Sequence, residues 1–250
     1  MTTPATAFAT FNVLSYRWTP NEVLDGFDRL CADGVSACLT ELKRRRRSHG
    51  SAAIDLVETI PLHRYEAVLD RLGAEARSRL GAVGASLAAG DLPRPEQCRL
   101  VTEEAWRLSR LLGPAIVTGF GSIPYLPTTL SEQPAAARLR AIVSDITAGA
   151  SARYGSAIGC ADYFAGISDM SFFGEAAESG LDVVARNTPM WREGIRWRKS
   201  GGLANIRTIN IGPWGRDYHT PLERLHIGHA FDVLLQVVRD VCAALLTKPE

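Results

Sequence analysis

Asn210-Ile211-Gly212-Pro213-Trp214-Gly215-Arg216-Asp217-Tyr218-His219-Thr220-Pro221-Leu222-Glu223-Arg224 is the stretch on which the reading of this chain turns. Before it, Ile206 to Ile211 is apolar and β-branched and reads as a strand. After it, Leu222, Leu225, Phe231, Leu234, Leu235, Val238, Cys242 and Leu245 give the apolar stripe of a helix from about Pro221 to Leu246. A histidine and carboxylates therefore sit in a glycine-bearing loop between a strand and a helix, the usual position of an α/β active site. Two readings of His219 remain open from spacing alone. It caps the final helix, or its neutral imidazole ligates zinc with a nearby carboxylate orienting the ligand. His226 and His229 extend the pattern to His-x3-Glu-x2-His-x2-His, but on a helix Glu223 and His226 share a face while His229 falls near the apolar stripe.

Upstream, the pattern alternates in the same way. Phe8 to Trp18 is aromatic and β-branched and predicts a strand, followed by Thr19-Pro20-Asn21-Glu22, a capping box with proline at the first helical position. Val23, Leu24, Phe27, Leu30, Cys31, Val35, Cys38, Leu39 and Leu42 then mark one face of a helix that ends in Lys43-Arg44-Arg45-Arg46-Arg47. Ala52 to Ile60 predicts a further short strand closed by Pro61. Helical texture follows over about Leu62 to Leu87, Pro95 to Leu112 and Pro134 to Arg153, with Ala115 to Phe120 a buried strand between the second and third. Residues 155–202 give no legible secondary structure. Strands alternating with helices after residue 110 imply an α/β layer.

Composition excludes several classes. With 250 residues, 28 Lys+Arg against 27 Asp+Glu and 46% hydrophobic residues, the chain is neither a disordered tail nor a protein held to nucleic acid by bulk charge. No apolar run reaches the roughly 18 residues of a membrane span, and Met1 to Leu14 lacks a secretory start, so the expectation is a cytoplasmic protein with no membrane partner. Cys31, Cys38, Cys98, Cys160 and Cys242 have no CxxC spacing, as expected of reduced core thiols.

The weaker constellations each have a plainer structural reading. Ser168, Asp182 and His219 follow the chain order of an α/β-hydrolase triad, but Met170 stands where the nucleophile turn needs glycine. Gly119-Phe120-Gly121 has Pro124 in place of the third glycine of a dinucleotide loop, so a turn after a strand is expected. The arginine run offsets a helix dipole as readily as it grips phosphate. Trp191-Arg192 and Trp197-Arg198-Lys199 interleave aromatics and cations, yet in a neutral chain they read as a structural loop.

Taken together, Phe11-Asn12-Val13-Leu14, Thr19 to Leu24, Pro114 to Pro127, Tyr163 to Phe173, Asn187-Thr188-Pro189-Met190-Trp191 and Ile209 to Leu225 resemble the RocB-type arginine-utilisation proteins. These belong to the superfamily of di-zinc peptidases and amidohydrolases that includes carboxypeptidase G, aminoacylase and succinyl-diaminopimelate desuccinylase. The resemblance covers most of the chain. It implies the C-terminal part of a three-layer α/β zinc-peptidase domain over 61–250, preceded at 1–60 by part of an α+β lid domain. It also implies that His219 is a zinc ligand and Glu223 its outer partner, with Ser168, Asp169, Gly212 and Arg216 facing a small amide or peptide substrate.

The same resemblance implies what is missing. The superfamily carries a His-x-Asp ligand pair, a bridging aspartate and a Glu-Glu pair upstream of the lid, and this sequence has none of them there. Glu103-Glu104 lies downstream, in a helix, and reads as a solvated face. The general base is absent, and one histidine falls short of the roughly three protein ligands of a catalytic zinc. The expectation is thus a partial hydrolase, two zinc ions being held only when an N-terminal half or a second copy completes it. The alternative is a non-catalytic remnant or interaction module with the same scaffold and no metal. Either way, an incomplete domain should expose an apolar face.

Overall fold

Thr19 and Glu22 start the first helix as the sequence predicts. The Thr19 N–H donates to Glu22 Oε2 at 2.7 Å, and the Glu22 N–H donates to Thr19 Oγ1 at 3.3 Å. In this computed structural model, which describes residues 5–15, 17–48, 57–125, 130, 134–161, 180–195, 206–218 and 220–247, the helix runs over Pro20–Ser48 (α1). Arg45, Arg46 and Arg47 occupy its last turn, where cations oppose the negative end of the helix dipole. Its apolar stripe is only partly covered: Leu24 and Leu39 are buried, whereas Leu30 and Leu42 face solvent.

The chain folds as two compact units, Met1–Pro124 with Glu178–Lys199, and Tyr125–Ala177 with Ser200–Glu250. Residues on both sides of position 60 belong to the first unit, so among the described residues the stretch 1–60 is not a separate compact body.

In the first unit, β1 (Leu62–Arg64) lies parallel to β2 (Ile116–Thr118), with His63 opposite Val117. Between them run α2 (Tyr65–Leu69), α3 (Ala74–Ala88) and α4 (Arg94–Ser109). The sequence predicts one helix over Leu62 to Leu87, and the structure divides it. Pro61 and the pairing with β2 draw 62–64 into an extended strand, and Gly73 separates α2 from α3. Tyr65, Val68, Leu72, Leu80, Cys98, Val101, Ala105 and Met190 form the core. Met190 reaches it from the chain that follows α6 (Leu181–Arg186), just ahead of a π-helical turn at Trp191–Ile195. Helix α1 is fastened to the strand pair by charge. Arg64 Nε donates to Asp28 Oδ2 at 2.7 Å, its other nitrogens bind Asn21 and Asp25, and the Thr118 hydroxyl donates to Asp28 Oδ1 at 2.7 Å.

The strand expected over Phe8 to Trp18 is not formed in its described residues. That segment has no ladder partner there; Phe8, Phe11, Val13, Leu14 and Trp18 are exposed, and Phe11 instead meets Phe27 of α1 at 5.7 Å between ring centroids. Of the strand expected over Ala52 to Ile60, residues 57–60 are irregular and the remainder lies outside the described residues.

In the second unit, α5 (Pro134–Tyr154) packs against α7 (Leu234–Thr247). Ala150, Val233, Val237 and Val241 are buried between them, with Ile209 and Ile211 alongside. The predicted strand at Ile206 to Ile211 is therefore corrected: Ile209 and Ile211 pack as side chains against the helix core while Ile206 is exposed, and its backbone enters no ladder among the described residues. The last helix also begins later than Pro221. Arg224–Leu225 (β4) pairs antiparallel with Gly215–Arg216 (β3), and helical geometry starts only after His226, through a π-helical turn at His229–Val233. The architecture is mixed α/β, dominated by helix, with two pairs of short strands among the described residues.

Candidate functional site

The β3–β4 hairpin presents the stretch singled out in the sequence. Gly215 is required by its pairing: a Cβ there would come within 2.7 Å of the Arg224 carbonyl oxygen. Asp217 turns the chain in the left-handed region, at φ +57°, and its carboxylate binds Arg224 at 2.6 Å across the hairpin. The Asp217 carbonyl accepts both the Thr220 N–H at 3.2 Å and the Thr220 hydroxyl at 2.8 Å, and the Thr220 carbonyl accepts the Glu223 N–H at 3.1 Å. Tyr218 donates its hydroxyl to the Pro213 carbonyl at 3.1 Å. The loop is thus tied at several points by short-range bonds.

Three expected site residues are visible. Arg216 lies on β3, Glu223 enters β4, and Gly212 precedes the hairpin; all three face solvent. Gly212 has open space where a Cβ would stand, the nearest atom being Asn210 Oδ1 at 4.0 Å, so no close backbone approach demands glycine there. His219, Ser168 and Asp169 lie outside the described residues. Among the described residues no three His, Cys, Asp or Glu side chains are grouped to hold a metal ion.

Below the loop sits an arrangement that the spacing did not reveal. The His226 N–H donates to the Trp214 carbonyl at 2.9 Å, and the indole of Trp214 stacks on the His226 ring, centroids 4.7 Å apart and planes 20° apart. The Trp214 N–H donates to His229 Nδ1 at 3.0 Å, and the His229 N–H donates to His226 Nδ1 at 3.0 Å. The three-residue step from His226 to His229 is the available sequence signal, since it is the spacing of a helix cap and the residue it satisfies.

Gly119 follows β2 in irregular chain rather than in the expected turn, and the next residue, Phe120, donates its N–H to the distant Asn187 carbonyl at 2.8 Å. Glu103 and Glu104 sit on α4 bound to Arg99 and Arg107, and the hydrogen bonds from Arg107 hold the Glu104 carboxyl below the usual carboxylate range. Arg44 and Arg45 bind Glu41 at 2.7 Å. Of the expected core thiols only Cys98 is buried; Cys31 is half-buried, and Cys38, Cys160 and Cys242 are exposed.

No family model matches the chain. No solved structure matches it. Among curated proteins it is similar to "Uncharacterized protein YqjN" of Bacillus subtilis (strain 168), with 26% identity over 258 residues. The match takes in 99% of this chain and 46% of that protein, so the chain spans less than half the length of its relative.

Proposed function

We propose that the chain is the C-terminal part of a RocB-like, zinc-dependent hydrolase of amide or peptide bonds, within a three-layer zinc-peptidase domain. Its contribution is the loop bearing His219, with Glu223 as outer partner and Ser168, Asp169, Gly212 and Arg216 toward a small substrate. The observation that carries the reading is the hairpin itself. Around His219 in sequence, the chain is held by the β3–β4 pair, the Asp217–Arg224 ion pair and the bonds through Thr220. Such a loop meets the requirement that a ligand be held by supports stronger than its own side chain. A relative about twice the length of this chain is also what a partial enzyme calls for.

The described donors do not complete a zinc site. The resemblance puts the further protein ligands and the general base in the superfamily's upstream half, so no hydrolytic step is assigned to this chain alone. The completing partner is an N-terminal half or a second copy; the reaction is cytoplasmic and involves neither nucleic acid nor membrane. Among the described residues, no helix is long and apolar enough to cross a membrane. A second reading, an interaction module without metal, is favoured by the apolar side chains that α7 exposes at Leu235, Val238, Leu245 and Leu246.

The test is to add a separately produced polypeptide carrying the superfamily's upstream ligands and to follow zinc content and hydrolysis of N-acyl amino acids. Zinc and activity should appear only in the mixture and vanish in His219→Ala. Stoichiometric tight zinc in the single chain would overturn the incompleteness, and activity that survives His219→Ala would overturn the ligand assignment.

A further inference from the structure

His226 and His229 form a relay of hydrogen bonds that the proposed chemistry does not use. Each offers Nδ1 to a backbone N–H, His226 to that of His229 and His229 to that of Trp214, both at 3.0 Å. A ring nitrogen that accepts a hydrogen bond holds a lone pair there, so the network assigns both neutral rings a proton on Nε2. A histidine that ligates a metal through Nε2 carries its proton on Nδ1 instead, and here that proton would meet an N–H donor. The pair is therefore built to hold backbone rather than metal, although a bare His-x2-His spacing invites the opposite reading.

What the pair holds is specific. His226 stands immediately before helical geometry begins, and its Nδ1 takes the N–H three residues on, the bond that an N-cap side chain makes. His229, three residues on, reaches back to Trp214, the residue that enters β3. The Trp214 carbonyl and indole in turn bind the His226 N–H and ring. Both ends of the hairpin are thereby joined to the start of the final helix.

We propose that His226 and His229 are positioning residues that lock the base of the β3–β4 hairpin to the first turn leading into α7, so that Asp217, Tyr218 and residues 220–223 are presented in one orientation. This rests on the functional reading only in giving that loop a catalytic meaning.

Asparagine places an acceptor oxygen near where Nδ1 stands, whereas glutamine places it near Nε2, so the two replacements separate a backbone anchor from a ring that merely fills space. The experiment is amide hydrogen exchange by NMR on the full chain, with Val237 and Val241 as controls for folding of the unit. In His229→Gln the Trp214 amide should exchange about five- to tenfold faster, the factor for losing about one hydrogen bond. The Thr220 and Glu223 amides of the loop should follow, and His229→Asn should stay near the unaltered protein. His226→Gln and His226→Asn should divide in the same way at the His229 amide. Nitrogen shifts of the unaltered rings should show Nε2 protonated and Nδ1 bare, a reading that needs no variant. Equal behaviour of the Asn and Gln variants, undisturbed loop amides in the Gln variants, or a proton on Nδ1 would each overturn the proposal. Neither metal nor substrate enters these measurements, so a failure of the assembled chain to hydrolyse amides bears on the functional reading alone.

Discussion

The carbonyl oxygen of Asn187 accepts the Phe120 N–H at 2.8 Å and lies 2.6 Å from where a Cβ on Gly119 would stand. Asn187 is itself fully buried. Its Oδ1 accepts the Glu66 N–H at 3.2 Å and its Nδ2 donates to the Val183 carbonyl at 3.1 Å, so one side chain joins the start of α2 to α6 beside the end of β2. Gly119→Ala should force this junction apart at a cost of about 1 to 3 kcal/mol, as overpacking does. Urea denaturation of the variant should show the midpoint fall; an unchanged midpoint would contradict the close approach.

A second expectation concerns pH. The Thr19 N–H, and after it the Thr19 hydroxyl, hold the Glu22 carboxyl below its usual range. A carboxylate depressed in the folded state contributes stability that is present above the unfolded value, about 4.3, and is lost as pH falls through the folded one. The Thr19 amide shift should therefore titrate with a midpoint below about 4.3. Glu22→Gln should abolish that titration while keeping α1 helical, since an amide oxygen still accepts the bond.

The cysteines should divide by burial. Burial pushes the Cys98 thiol up to about 11, whereas Cys38, Cys160 and Cys242 lie at the surface. Iodoacetamide at neutral to mildly alkaline pH should label the three exposed thiols and spare Cys98 until the first unit opens. With the folded value raised, the stability that Cys98 supports is complete below the unfolded value of about 8.5 and erodes as pH rises toward about 11. Cys98→Ala should flatten that alkaline slope in thermal melts.

On α7, residues off the face that buries Val237 and Val241 turn outward: Leu235 is 60% and Leu246 82% exposed, and Phe231 just ahead of the helix is 64% exposed. Contiguous apolar surface of this kind promotes association. The purified chain should bind hydrophobic dyes and self-associate with rising concentration, and Phe231→Ser with Leu235→Glu should suppress both in light-scattering measurements. A dye-silent monomer would count against it.

Legibility in the sequence followed the range of the interaction concerned. Thr19, Pro20 and Glu22 specify a helix start within four residues, and α1, α4 and α5 begin close to where their caps and prolines place them. Strand character at Phe8 to Trp18 and Ile206 to Ile211 was legible as composition, but a strand exists only with a partner, and pairing is set by distant chain. Leu62-His63-Arg64 became a strand because Ile116 to Thr118 lies beside it, a neighbour more than fifty residues away. The buried face of α7 differs from the predicted one for the same reason: the periodicity of Leu222 to Leu245 fits one stripe, while α5 covers the adjacent stripe through Val233, Val237 and Val241. In the candidate site, glycines and charges announced a loop between elements, but the use of His226 and His229 as backbone acceptors depends on ring orientation, which spacing cannot encode.

The interrupted composition of the two units has a consequence for how the chain can be made and cut. Val68 and Cys98 share a core with Met190, yet the stretch 125–177 of the other unit separates them along the chain. A growing polypeptide that has emerged only to Pro124 holds most of the first core with one wall absent, and must wait for about another seventy residues before closing it. No single proteolytic cut can release either unit intact, and no contiguous gene fragment encodes one. Dissection of this protein into working parts therefore calls for circular permutation or paired fragments.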